Sequence, residues 1–168
     1  CNAFYDAGKT WPAGLDKQVK ASLAELEKRT SKQFGNAENP LLVSVRSGAK
    51  FSMPGMMDTV LNLGMNDEVV KGLIKITSNE RFVLDSYRRF INMFGDVVMG
   101  VDHEHFEHII DGLKTRVGAK SDTDLTAENL RELVEKYLAL YKERTGSAFP
   151  QEPVKQLEHA INAVFQSW

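Results

Sequence analysis

Residues Val43 to Thr59 read VSVRSGAKFSMPGMMDT: the end of a strand-like run, one arginine, then two glycines, a proline and three methionines. A strand that ends in a cation and opens into a segment rich in backbone freedom has a chemical use. The guanidinium of Arg46 presents a planar fork of donors that matches phosphate oxygens, and glycine lets backbone N–H groups approach the same oxygens. The spacing is neither G-x-x-x-x-G-K-[ST] nor G-x-G-x-x-G, so it is not one of the familiar phosphate-loop signatures. An arginine that caps a helix or pairs with a carboxylate, beside a structural turn, stands as the alternative.

Upstream, Val19, Leu23 and Leu26 recur at helical spacing between Asp16 and Thr30, which predicts an amphipathic helix. The turn residues of FGNAENP follow, with Pro40 biasing Asn39 toward an extended backbone. Leu41 to Val45 then reads as a buried strand. From Lys50 to Met65 no period survives, which predicts a loop with a short helical turn near Met57 to Leu61.

Downstream the periodicity is helical. Asn66 is placed as an N-cap, with acids in the first turn where they suit the helix dipole. Val83, Leu84, Tyr87, Phe90, Ile91 and Phe94 form one stripe, and Gly95 is placed to end that helix. Two further helices are expected, about His103 to Arg116 and Thr126 to Thr145, and a last one from Pro153 carrying Val154, Leu157, Ile161, Val164 and Phe165. The fold class is α+β, mainly helical, with one strand.

The 168 residues suit one domain with a real core, and 42% hydrophobic and 26% charged residues are globular values. A net charge of −2, with both signs spread along the chain, gives no electrostatic reason to expect nucleic acid. No apolar run is long enough to span a bilayer, and the single cysteine permits no intrachain disulfide. These features point to the cytoplasm, with an organelle open for a eukaryotic source. The start at Cys1 and the end at AVFQSW, inside an amphipathic pattern, read as cuts in a larger protein.

The words LLVSVRSGA and SMPGMMDTVLNLG, with YRRFINMFGDVVMG downstream and FGNAENP upstream, resemble the pyruvate, phosphate dikinase family. Related phosphoenolpyruvate synthases share a V-R-S core but follow it with an acidic, differently spaced loop. Lys50 and Phe51 depart from the small residues expected after R-S-G-A. The resemblance implies an enzyme that interconverts ATP, phosphate and pyruvate with AMP, pyrophosphate and phosphoenolpyruvate, through a phosphohistidine on a swivelling domain. It also implies Mg²⁺, a homodimeric parent, and an ATP-grasp-like nucleotide-binding region of which this is the first half. Residues 1–66 would be its strand-loop part and 67–168 its helical subdomain.

By the same resemblance Arg46 contacts ATP phosphate, and Gly55, Met56, Met57 and Asp58 cover the polyphosphate. Arg46 is thus the candidate catalytic residue, neutralising charge on the transferring phosphates. Asp58 reads first as a helix N-cap and second as an Mg²⁺ ligand. The catalytic histidine, the pyruvate barrel and the nucleotide lysine are expected outside these residues, so the piece alone should not turn over. A helical module docking on the phosphohistidine domain or on a dimer partner is the other reading.

Other constellations have plainer explanations. His103, His105 and His108 read as surface histidines, since H-x-x-H without a third ordered ligand is a weak metal signal. The methionines suit irregular gaps under a loop, and Tyr87, Arg88 and Arg89 suit a solvated or ion-paired helix face. Trp11 and Trp168 read as packing residues.

Overall fold

The computed structural model describes residues 2–48 and 57–167. Seven α-helices occupy most of the described chain: α1 (Asn2–Asp6), α2 (Leu15–Thr30), α3 (Asp67–Thr77), α4 (Glu80–Met93), α5 (His103–Val117), α6 (Ala127–Thr145) and α7 (Pro153–Gln166). Four short strands accompany them: β1 (Gln33–Phe34), β2 (Pro40–Leu41), β3 (Val43–Val45) and β4 (Val60–Leu63). β1 and β2 form a parallel pair, while β3 and β4 pair antiparallel with Val43 opposite Leu63 and Val45 opposite Val60.

The helix boundaries follow from capping. Asn66 accepts the Val69 N–H at 2.8 Å, Asn79 accepts that of Phe82, Asp102 that of Glu104, and Thr126 that of Asn129 in a reciprocal capping box. Asn66 also donates to the Gln151 carbonyl, joining the start of α3 to the segment before α7. Asn66→Ala is expected to cost about 1 kcal/mol, read as a lower urea midpoint. An unmoved midpoint would mean that solvent satisfies the Val69 N–H equally well.

Three sequence expectations are corrected. The run Leu41 to Val45 is not one strand, because Pro40–Leu41 pairs with β1 while Val43–Val45 pairs with β4, and Leu42 passes between the two sheets. The helical turn expected near Met57 to Leu61 is instead the approach to β4 and its first residues. There Val60 and Leu63 are buried while Leu61 is exposed, so the sheet pairing and one-sided burial prevail over a segment with no period of its own. Gly95 does not end α4 either: the helix passes into a π turn, Phe94–Val98, and the chain leaves at Gly100 with φ of 70°. Gly95 is buried there, and the space beside it is filled, since a Cβ on it would stand 2.6 Å from the Phe106 ring.

The core lies between α4 and α6 and is strongly aromatic. Phe149, in the link before α7, packs its ring against Tyr87, Phe90, Phe94 and Tyr141, with the last two at 5.4 and 5.1 Å between centroids. Tyr137 is buried and donates to the Phe106 carbonyl, and burial pushes its hydroxyl well above the ordinary value. Gly72 of α3 is buried against the FGNAENP loop, where the Ala37 backbone leaves no room for a side chain.

Helix α7 returns to the strands. Gln156 is 0% exposed: it accepts the Gly64 N–H at 2.9 Å and donates to the carbonyls of Met65 and Pro150 at 2.8 and 2.7 Å. One buried carboxamide therefore satisfies three backbone groups, two where β4 ends and one in the link before α7. Nothing in the local sequence marks it, since Gln156 sits in the first turns of an otherwise ordinary amphipathic helix.

Candidate functional site

The β3–β4 hairpin determines where the sequence candidates lie. Val45 stands opposite Val60, and Arg46 and Thr59 are the next residues outward on the two strands, so Arg46 and Asp58 emerge at the same end of the ribbon. Arg46 and Asp58 are exposed, whereas Met57 is half-buried and packs against the core. Gly55 and Met56 lie outside the described residues. Asp58 does not cap a helix, because the element that follows it is β4.

Asp58, but not Arg46, lines a cleft of about 520 Å³. Asp58, Thr59 and Asn62 form one wall, Arg88, Arg89, Asn92 and Asp96 form the wall contributed by α4 and its π turn, and His103, Glu107 and Asp122 close it. Asn62 holds φ at 63°, a left-handed conformation that asparagine tolerates better than most residues and that sets how β4 borders the cleft.

The two arginines of α4 differ in their surroundings. Arg88 is only 4% exposed and is clamped by carboxylates, with Nε 2.8 Å from Asp85 Oδ1 and Nη2 2.6 Å from Asp122 Oδ2. Burial opposes its charge, but Asp85 and Asp122 outweigh that and raise its pKa further. Asp122 is the mirror case: burial acts to raise its pKa, yet hydrogen bonds from Lys114 and Arg88 hold the carboxyl below its ordinary value. Arg89 is exposed and has Nε 3.0 Å from the other oxygen of Asp85, so one acid holds both guanidinium groups.

Arg88 is therefore ion-paired, as one sequence reading had it, but buried rather than solvated. The signal lay in D-S-Y-R-R, where Asp85 addresses Arg88 at i,i+3 and Arg89 at i,i+4. The Asn92 carboxamide oxygen, on a residue 8% exposed, lies buried at the cleft without a hydrogen-bond partner among the described residues.

His103 bridges Asp96 at 3.4 Å and Glu107 at 3.3 Å, while His108 is exposed on the same helix. Among the described residues no group of three or more histidine, cysteine, aspartate or glutamate side chains is arranged to hold a metal ion. No described helix is long and apolar enough to cross a membrane.

The family model described as "Pyruvate phosphate dikinase, AMP/ATP-binding domain" matches residues 9–168. Among curated proteins, the chain is 57% identical over 164 residues to pyruvate, phosphate dikinase of Giardia intestinalis, covering 98% of this chain and 19% of that protein. It is 54% identical over 169 residues to the Clostridium symbiosum protein of the same name, covering 100% of this chain and 19% of that one. Against pyruvate, phosphate dikinase 1, chloroplastic, of Arabidopsis thaliana the figures are 53% over 168 residues, 100% and 17%. The chain thus spans about a fifth of the length of these relatives.

Proposed function

The chain belongs to the pyruvate phosphate dikinase AMP/ATP-binding domain family, and from that premise we propose that it forms the phosphate-holding part of an ATP site in a dikinase of about five times its length. The observation that carries the proposal is the hairpin, which brings Arg46 and Asp58 to one end of a ribbon, with Asp58 bordering a cleft that bears a further guanidinium, Arg89. The parent reaction interconverts ATP, phosphate and pyruvate with AMP, pyrophosphate and phosphoenolpyruvate, through a phosphohistidine on another domain of the same polypeptide. The region is ATP-grasp-like, with residues 1–66 supplying the strand-loop part and 67–168 the helical part, in a homodimeric parent.

Arg46 neutralises charge on the transferring phosphates, and backbone donors of Gly55, Met56 and Met57 align them. Mg²⁺ fits this site as an ion carried on the nucleotide, since it keeps several waters and binds through one or two carboxylates plus phosphate oxygens. Asp58, exposed and beside the cleft, is the carboxylate that would meet it. The ion would supply charge neutralisation there; this chain supplies position.

In the full-length protein, Arg46→Ala should weaken ATP-dependent phosphorylation of the histidine by about ten- to a hundredfold, as expected for one charge-assisted contact of about 1.5–3 kcal/mol. Arg46→Lys should recover only part of this, because an ammonium lacks the planar fork. The measurement is single-turnover phosphorylation from ATP, with calorimetric titration of Mg-ATP alongside. An unchanged rate and affinity in Arg46→Ala would remove Arg46 from the site.

A further inference from the structure

Helix α2 is amphipathic, yet it contributes no buried residue to the described structure. Its apolar stripe, Val19, Leu23 and Leu26, faces α7 across a groove, and Leu26 is left 46% exposed. The groove consists of two adjoining cavities of about 360 and 320 Å³ that share Val19, Leu23 and Leu157 in their walls. Trp11 lines the first and Ile161 the second. Helical order on such a face is retained by tertiary packing more than by propensity, so a stripe this open lacks its counterpart.

The floor of the second cavity includes Val43 and Ser44 of β3. β3 pairs with β4 on one side, and among the described residues no strand pairs with its other edge. A two-stranded ribbon is marginal alone, and an open edge is a template for another strand. The same face of α7 already receives polypeptide from before α2: Phe4 packs on Phe165 at 5.1 Å, and the Trp11 indole N–H donates to Asn162. The groove continues that interface.

We propose that the groove between α2 and α7 is the seat of further polypeptide of the same full-length protein: an extended apolar segment that pairs with the open edge of β3 and lays alternate side chains between the two helices. It rests on the reading of the chain as part of a longer enzyme, for the relatives it matches are about five times its length. Alternation fits the geometry. One face of an added strand would meet Val19, Leu23 and Leu157 while the other remained on the solvent side.

Hydrogen–deuterium exchange tests this, comparing residues 15–30 and 42–45 in the full-length protein and in the 168-residue chain at two concentrations, with protection of α4 and α6 in both lengths as the condition that each is folded. The expected result is at least about tenfold slower exchange in these segments in the full-length protein. Leu23→Asp in the full-length protein should abolish the difference and Leu23→Met should preserve it, with α4 and α6 protected in both variants as evidence of folding. Equal exchange in the two lengths would overturn the proposal. So would protection that rises with concentration in the 168-residue chain, which would make a second copy the occupant. Arg46 does not enter this readout, so protection without an effect of Arg46→Ala on ATP would sink the nucleotide reading and leave this one standing.

Discussion

Replacing Arg88 by methionine should destabilise the fold by about 3 kcal/mol, among the largest effects of any single change at the cleft. Methionine restores much of the apolar stem volume, so the loss is chiefly electrostatic. The variant leaves Asp85 and Asp122 partly buried without their shared cation. Each keeps one other partner, Arg89 at 3.0 Å and Lys114 at 3.2 Å, which sets the effect at the lower end of the range for a broken buried pair.

The same variant should change the response to acid. Asp122 has a folded-state pKa held below its ordinary value. Its stabilising contribution is therefore present above the unfolded pKa and is lost as pH falls through the folded one. Without Arg88 one of the two hydrogen-bonding cations is gone, the depression shrinks, and the slope of stability against pH between about pH 5 and pH 2 should flatten. Urea titrations at pH 7 and across that acid range check both statements. An unaltered midpoint at pH 7 would mean that the Arg88 clamp contributes no net stability.

Gly72→Ala should cost about 3 kcal/mol, although helix propensity alone predicts a gain of about 1 kcal/mol. The competing effect is steric, because a Cβ at this position would lie 1.7 Å from the Ala37 carbonyl oxygen and 2.6 Å from its carbonyl carbon. That obstacle is backbone, in a loop braced by Asn36, whose side chain accepts the N–H groups of Glu38 and Asn39. Relief therefore requires α3 and the loop to separate. Thermal unfolding measures the outcome, and a variant more stable than the parent would show that the two backbones are not in contact.

Much of the helical framework was legible because its signals are local. Asn66, Thr126 and Pro153 announce helix starts, and the stripe from Val83 to Phe94 announces a buried face. What escaped was set by distant residues. β4 exists because β3 pairs with it, and neither Val60 nor Leu63 carries that information alone. Gly95 resembles a helix terminator until Phe106, on another helix, is seen to occupy the space beside it.

For the site, Arg46 and Asp58 were singled out from the sequence and lie at one end of the hairpin. The cleft that Asp58 borders was not foreseen, because it draws on α4, α5 and the turn at Asp122, which meet only in three dimensions. Burial of Arg88 was likewise hidden: its second carboxylate lies 34 residues away.

The carboxamide of Gln156 also sets an order of events during synthesis. Its bonds to Gly64 and Met65 span 92 and 91 residues, far longer than the helix-to-helix links around α4. A ribosome adding about 5–20 residues per second needs roughly 5–18 s to travel from the end of β4 to α7. Throughout that interval α3 and α4 can assemble locally, while the Gly64 N–H and the Met65 carbonyl wait for their partner. The nascent β3–β4 ribbon therefore waits for α7 before it is locked, and through that interval it is exposed to premature pairing with another chain.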